Sequence, residues 1–276
     1  MQLRNFTTQQ QDSRAAAHGS SDPWQHFSNI FRSGDQPLPQ PWGEIFGPLQ
    51  HSTVDGIVVI GQIGQSLDGR IATESGHSKY INGPAGLDHL HRLRALVDAV
   101  VIGVGTAIAD DPQLTVRRVA GRHPARVIID PRGRLGNHAQ VFSEDGVARL
   151  LMVAEGTQVA PPRGVEIVPL PGPDGRLRPT DILAALAARG MRRVLIEGGA
   201  DTVSRFLAAG CLDRLHVMVA PILLGAGRPG IVLPPIERAD QALRVPVRTH
   251  RIEDEVLFDC DLSAQRTAIG TASKST

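Results

Sequence analysis

Residues 193–210, RVLIEGGADTVSRFLAAG, pass from an apolar run to an amphipathic one through Glu197, Gly198 and Gly199. The first run is short and aliphatic, as a buried strand requires. The second spaces its apolar residues at helical intervals and stops on Gly210, a residue suited to ending a helix. A strand that runs straight into a helix leaves the first-turn N–H groups without intrahelical partners, and the helix dipole favours an anion there. The glycine pair therefore reads either as a phosphate seat or as a plain tight turn. Glu197 adds a constraint, because an acid at the end of a buried strand is costly unless a ligand or neighbouring donors hydrogen-bond to it.

Working outward, the same alternation recurs. IVVIGQI, DAVVIG, ARVIID, ARLLMVA, VEIVPL, RRVLIE and RLHVMVAPIL read as strands, and ALRVPVRTHRI and EVLFDCDL as a closing antiparallel hairpin. Between them PAGLDHLHRLRALV, TDILAALAARG (with Thr180 as N-cap) and DTVSRFLAAG read as helices. The pattern predicts an α/β domain over residues 55–262, with helices on both faces of its sheet.

Residues 1–54 form an extension. Its first part is polar and aperiodic and is expected to be disordered. Six of the ten aromatic residues of the chain fall within its first 50 positions: Phe6, Trp24, Phe27, Phe31, Trp42 and Phe46. Side chains of that size are seldom left in water, so the extension is expected to dock as an arm. Residues 263–276 read as a flexible tail. The chain has 276 residues, 41% of them hydrophobic, enough for a sizeable core, and 29 basic against 28 acidic residues leave a formal charge of +1. That balance points to neither nucleic acid nor membrane as a partner. The two cysteines, Cys211 and Cys260, are too few for a disulfide framework and read as buried small hydrophobes. No run is long enough to span a membrane and the N-terminus lacks the apolar core of a secretion signal, so a cytoplasmic location is expected.

Other motifs narrow the chemistry. VIGVGTAIADDP places Gly103 and Gly105 after a strand, but Ile108 stands at the third glycine position of a dinucleotide fingerprint and ADDP stops the helix within about one turn. A short turn held by Thr106 and Asp110 fits better. His89 and His91 are two apart on a helix and face different ways, which excludes a shared metal; with Arg92 they read as a solvated face. Arg94 falls in the apolar part of the repeat and, being partly buried, needs a carboxylate or phosphate. No activated serine or cysteine nucleophile is apparent.

GQIGQSLDGRIATESGHSKYI, HRLRALVDAVVIGVGTAIADDPQLTVR and VLIEGGADTVSRFLAAGCLDRLHVMVAPILLGAG, in that order and spacing, resemble the reductase domain of the bifunctional riboflavin-biosynthesis deaminase/reductase. The resemblance covers residues 55–262. It implies a three-layer dihydrofolate-reductase-like fold, a mixed, mostly parallel sheet flanked by helices with a C-terminal antiparallel hairpin. It also implies a homodimer and NADPH as the cofactor reducing the ribosyl group of an aminopyrimidine ribose phosphate to ribityl.

By the resemblance, Gly64 and Tyr80 lie against the nicotinamide, Thr106 and Asp110 hold ribose or amide groups, and Gly198, Gly199, Ala200, Asp201 and Thr202, with the turn as far as Arg205, wrap the pyrophosphate. Arg132 and Arg134 would meet the 2′-phosphate. On the substrate side, Ser78, Arg94 and Arg117 would bind the ribose phosphate, Leu114 would line the site, and Glu197 would accept from the pyrimidine. Hydride transfer asks mainly for positioning, so no acid–base catalyst is assigned. The chain departs from the family at Tyr80, Asn82 and Asp201, and it lacks the H-x-E and P-C-x-x-C motifs of the deaminase half. A stand-alone reductase is therefore expected. The competing readings are a same-fold NADPH reductase of a dihydropterin or specialised metabolite, and a nucleotide-binding module without turnover.

Overall fold

Aliphatic runs separated by helical ones can bury both faces only as a sheet between two helical layers, and that arrangement is observed. The computed structural model describes residues 22–51, 54–79 and 81–269. Its strands are β1 Val58–Ser66, β2 Arg70–Thr73, β3 Ala99–Gly103, β4 Ala125–Ile129, β5 Arg149–Ala154 and β6 Val165–Leu170. They continue as β7 Arg193–Glu197, β8 Arg214–Ala220, β9 Gly227–Pro229, β10 Val247–Ile252 and β11 Glu255–Asp261. Nine of them form one sheet in the order β10-β11-β8-β1-β7-β3-β4-β5-β6, while β2 and β9 pair as a separate ribbon. Every neighbouring pair from β8 through β6 is parallel. The β10–β11 hairpin adds antiparallel to β8, so the expected mixed sheet with its C-terminal hairpin is what the chain forms.

Alternation along each strand sends successive side chains to opposite layers. Val59, Val101, Val194 and Ile196 pack with Leu183 of α5 (Pro179–Ala187) and Phe206 of α6 (Ala200–Ala208). Val58, Ile60, Val100 and Leu195 pack the other way, with Leu93 and Leu96 of α3 (Pro84–Leu96). The aromatic arm completes this second layer. Its helices, α1 Pro23–Ser33 and α2 Trp42–Phe46, bury Trp24, Phe27, Phe31 and Phe46 in the same core as α3. Trp24 Nε1 donates to Ala120 O at 2.8 Å, its ring meets Trp42 edge-on at 5.5 Å, and the Arg92 guanidinium lies 5.6 Å from the Trp24 ring.

Four expectations change. His89 and His91 do not form a solvated face: both are buried. Phe46 stacks on His89, whose Nε2 lies 3.1 Å from His216 Nδ1; His216 Nε2 is 3.3 Å from Asp259, which Arg214 grips at 2.8 and 2.6 Å. Burial first, and then the neighbouring His216, holds the His89 pKa well below its ordinary value. The tail is not loose throughout either, because residues 263–269 dock: Arg266 pairs with Asp213 at 3.2 Å and Ile269 packs on the core. The remaining tail residues, like residues 1–21, lie outside those described. Thr180 is not the N-cap of α5, which begins at Pro179 after Arg178. The 104–110 segment is a seven-residue helix, α4 Val104–Asp110, rather than a single turn.

Because Trp24 is 2% exposed within the α3 layer, Trp24→Ala should cost about 3–5 kcal/mol. Chemical denaturation would show this as a lowered midpoint with the transition still single; an unchanged midpoint would separate the arm from the cooperative core.

Candidate active site

A cleft of about 1390 Å³ opens at the carboxyl ends of β1, β7, β3 and β4, the edge where parallel α/β sheets take their ligands. Its centre is the β7–α6 junction. Gly198 adopts φ +104°, which a side chain would resist, and a Cβ on it would press against Thr106 at 3.0 Å. Thr106 Oγ1 accepts the Gly199 N–H at 2.9 Å, binding the start of α4 to the start of α6. A Cβ on Gly103 would meet Thr202 Oγ1 at 2.5 Å, so the β3–α4 and β7–α6 turns approach closely only because Gly103 is bare. Among the described residues no side chain caps α6, and Ala200, Asp201 and Thr202 line the cleft at its N-terminus.

Glu197, 8% exposed, reaches the cleft from the end of β7. Arg94 of α3 holds it bidentately: Nε donates to Oε2 at 2.8 Å and Nη2 to Oε1. The third Arg94 nitrogen, Nη1, donates to Thr115 O at 3.1 Å. This corrects the expectation that Arg94 converges with Arg117 on a phosphate. Arg94 is 5% exposed, does not line the cleft, and takes the carboxylate alternative that its burial demanded. Arg117 is exposed and lies outside the cleft lining, yet near enough to feel the charges of Arg94 and Glu197. Among the described residues its side chain donates to neutral groups alone, Gln113 Oε1 at 2.9 Å and Thr115 Oγ1 at 2.8 Å.

Of the other expected residues, Gly64, Ser78, Thr106, Asp110, Arg132 and Arg134 line the cleft. Ser78 Oγ is 3.4 Å from Asp110 Oδ1, which brings the β2–α3 loop against the end of α4. Leu114 is instead a core residue, 1% exposed, with φ +56°. Tyr80 lies outside the described residues. Sequence reasoning missed Gln62, Arg176 and Arg228, which also line the cleft. The signal for Gln62 was a polar residue inside an otherwise apolar strand; it sits in register beside Glu197. Arg176 and Arg228 gave none, because the loop that carries the first and the short strand β9 that carries the second are placed by tertiary contacts.

Cations dominate the rim. Arg132, Arg134, Arg176, Arg205 and Arg228 all face the cleft. Arg134 lies 4.0 Å from the buried Asp130, whose other oxygen accepts the Leu135 N–H and so shapes the turn after β4. The β2–β9 ribbon at the mouth is tied down by Asp68, which accepts from Ser66 Oγ at 2.5 Å and from the N–H groups of Leu224 and Gly225 at 3.1 and 2.7 Å. Those bonds, Ser66 foremost, lower its pKa to about 2. Among the described residues no cluster of His, Cys, Asp and Glu is placed to hold a metal ion, and no helix is long and apolar enough to cross a membrane.

Comparison with known proteins follows this geometry. The 2,5-diamino-6-ribosylamino-4(3H)-pyrimidinone 5′-phosphate reductase of Methanothermobacter thermautotrophicus is 32% identical over 210 residues, covering 73% of this chain and 96% of that protein. The riboflavin biosynthesis protein RibD of Bacillus amyloliquefaciens is 34% identical over 166 residues, 58% of this chain and 44% of RibD, so the chain matches less than half the length of that relative. Among solved structures, the deaminase/5-amino-6-(5-phosphoribosylamino)uracil reductase of Thermotoga maritima superposes with a TM-score of 0.63 at 28% identity, over 74% of this chain and 56% of that one. The family model of the RibD C-terminal domain matches residues 58–252. With most of its sheet and the whole β7–α6 junction inside that match, the chain belongs to the RibD C-terminal domain family.

Proposed function

We propose that the protein is an NADPH-dependent reductase that converts the ribosylamino group of an aminopyrimidine ribose phosphate to ribitylamino, a step of riboflavin biosynthesis, in the cytoplasm. One observation carries the reading: a buried, arginine-oriented carboxylate, Glu197, stands next to an uncapped helix N-terminus within a single cleft. The names of the similar reductases supply the substrate class.

The residues present fit the cofactor. The bare backbone of Gly198 and Gly199 and the start of α6, uncapped among the described residues, suit a pyrophosphate. Arg132 and Arg134 suit a 2′-phosphate. Gly64, Thr106 and Asp110 line the same cleft and would meet the nicotinamide end. When bound, NADPH supplies a hydride. Arg94 keeps both oxygens of Glu197 fixed, so that the carboxylate presents acceptors to the N–H edge of a pyrimidine without having to transfer a proton. Ser78, which also lines the cleft, would offer a hydroxyl to the sugar phosphate, and Arg117, whose charge meets no carboxylate among the described residues, would attract its phosphate. The ribosylamine would open to a Schiff base, whose C1 would take the hydride and whose nitrogen would take a proton from water; the chain would contribute placement and exclusion of bulk solvent.

A homodimer belongs to the same proposal. The β10–β11 hairpin leaves Val247 and Phe258 exposed, and Leu223, Val232, Ile236 and Leu243 are exposed in the segments on either side of β9. A second copy would cover them.

Three outcomes test these assignments. In NADPH-oxidation assays with the aminopyrimidine ribose phosphate, set against dihydrofolate, Arg117→Ala should lower kcat/KM by roughly tenfold to 150-fold. A dephosphorylated analogue should be nearly indifferent to it, whereas Arg94→Ala should impair both substrates and cost about 3–5 kcal/mol of stability by stranding Glu197. Equal losses for both substrates in Arg117→Ala would make that residue structural. The double substitution Arg132→Ala and Arg134→Ala should erase the preference for NADPH over NADH in binding titrations; an unaltered preference would move the 2′-phosphate elsewhere. Light scattering should give twice the chain mass for the wild type and the chain mass for Phe258→Asp, and a monomeric wild type would refute the dimer.

A further inference from the structure

Asn82 lines the cleft just before α3, and its carboxamide is held in one orientation. Nδ2 donates to Glu255 Oε1 at 2.7 Å and points at Met218 O at 3.4 Å. A carboxylate and a backbone carbonyl only accept, so turning the amide over would set its own carbonyl against both. Oδ1 therefore faces the backbone of Gly64, in the space a Cβ there would fill, and among the described residues no donor reaches it.

The support behind Asn82 is equally fixed. Glu255 opens β11, is 1% exposed, and accepts the N–H groups of Gly83 at 3.1 Å and Gly86 at 2.7 Å. It thereby caps α3, which has no cap from its own chain segment. A Cβ on Gly86 would come within 2.5 Å of Glu255 Oε2, so this approach also depends on a bare backbone. Gly64, Asn82, Gly86 and Glu255 thus form a closely packed group in which Asn82 Oδ1, an acceptor at the cleft lining, meets no donor among the described residues.

We infer that Asn82 is a specificity-determining residue: its oriented carbonyl accepts a hydrogen bond from an amide or amino N–H of the ligand lying over Gly64, and Glu255 is the positioning residue that keeps it so. The inference rests on the reductase reading above, which offers two sources of that group: the carboxamide of the nicotinamide and an amino substituent of the pyrimidine. A ligand with a carbonyl or methyl at this point would face the Asn82 carbonyl with nothing to donate.

The test measures equilibrium binding by calorimetry, independent of turnover, for the wild type, Asn82→Leu and Glu255→Gln. One arm compares NADPH with its 3-acetylpyridine analogue, in which a methyl replaces the amide NH2. The other compares the aminopyrimidine ribose phosphate with an analogue lacking the amino group. In one arm the wild type should favour the N–H ligand by roughly three- to tenfold, and the arm identifies the source. Asn82→Leu should abolish that preference. Glu255→Gln should reduce it, because the new amide can donate to Asn82 and let it turn. Preferences that match the wild type in both folded variants overturn the inference, as does a wild type that binds both ligands of each pair equally. If Asn82→Leu does not fold, Glu255→Gln alone decides. A wild type that binds neither NADPH nor the pyrimidine overturns the reductase reading itself, and this inference with it.

Discussion

The Arg94–Glu197 pair is the contact on which the arrangement of the cleft depends. Glu197 ends a central strand with neighbours on both sides, so its carboxylate leaves water on folding, and that is tolerable only against a cation of matching shape. Arg94 meets it with two parallel donors and so fixes α3 over the end of β7. Once α3 is placed there, the gap between its first turn and the strand ends becomes one wall of the cleft. The β7–α6 turn becomes the other.

The second constraint is steric. The cleft edge is crowded with backbone: Gly103 against Thr202, Gly198 against Thr106, Gly64 against Asn82 and Gly86 against Glu255. In each case a main chain approaches a polar side chain of another element at a distance that would crowd a Cβ. The resulting network is stiff, because Thr106, Asn82 and Glu255 each spend hydrogen-bonding capacity on backbone or on each other. Preorganisation of this kind suits a reaction in which the protein has little to do beyond placement.

The aromatic arm bears on the site indirectly. By covering the outer side of α3, it buries His89 and encloses the chain of polar groups that runs through His216 to Asp259 and Arg214. Arg92 lies over the rings of Trp24 and Trp42 rather than in open solvent. The helix that carries Arg94 is therefore packed on both sides, by the sheet beneath and the arm above.

The sequence by itself determined the sheet and the acid–glycine junction at its centre. Period and composition located all nine strands of the main sheet, the closing hairpin and the helices α3, α5 and α6, because each signal is local: a side-chain period of two or 3.6 and a glycine at a turn. The acid and paired glycines at 197–199 were legible for the same reason. Only the tertiary structure decided what those groups face. That Arg94 belongs to Glu197, 103 residues away, that Glu255 caps α3 from the far end of the chain, and that His89 is dry are matters of which layers meet. A hydrophobic pattern fixes that a face is buried, but not what covers it, since burial is non-directional while the hydrogen bonds that choose a partner are not.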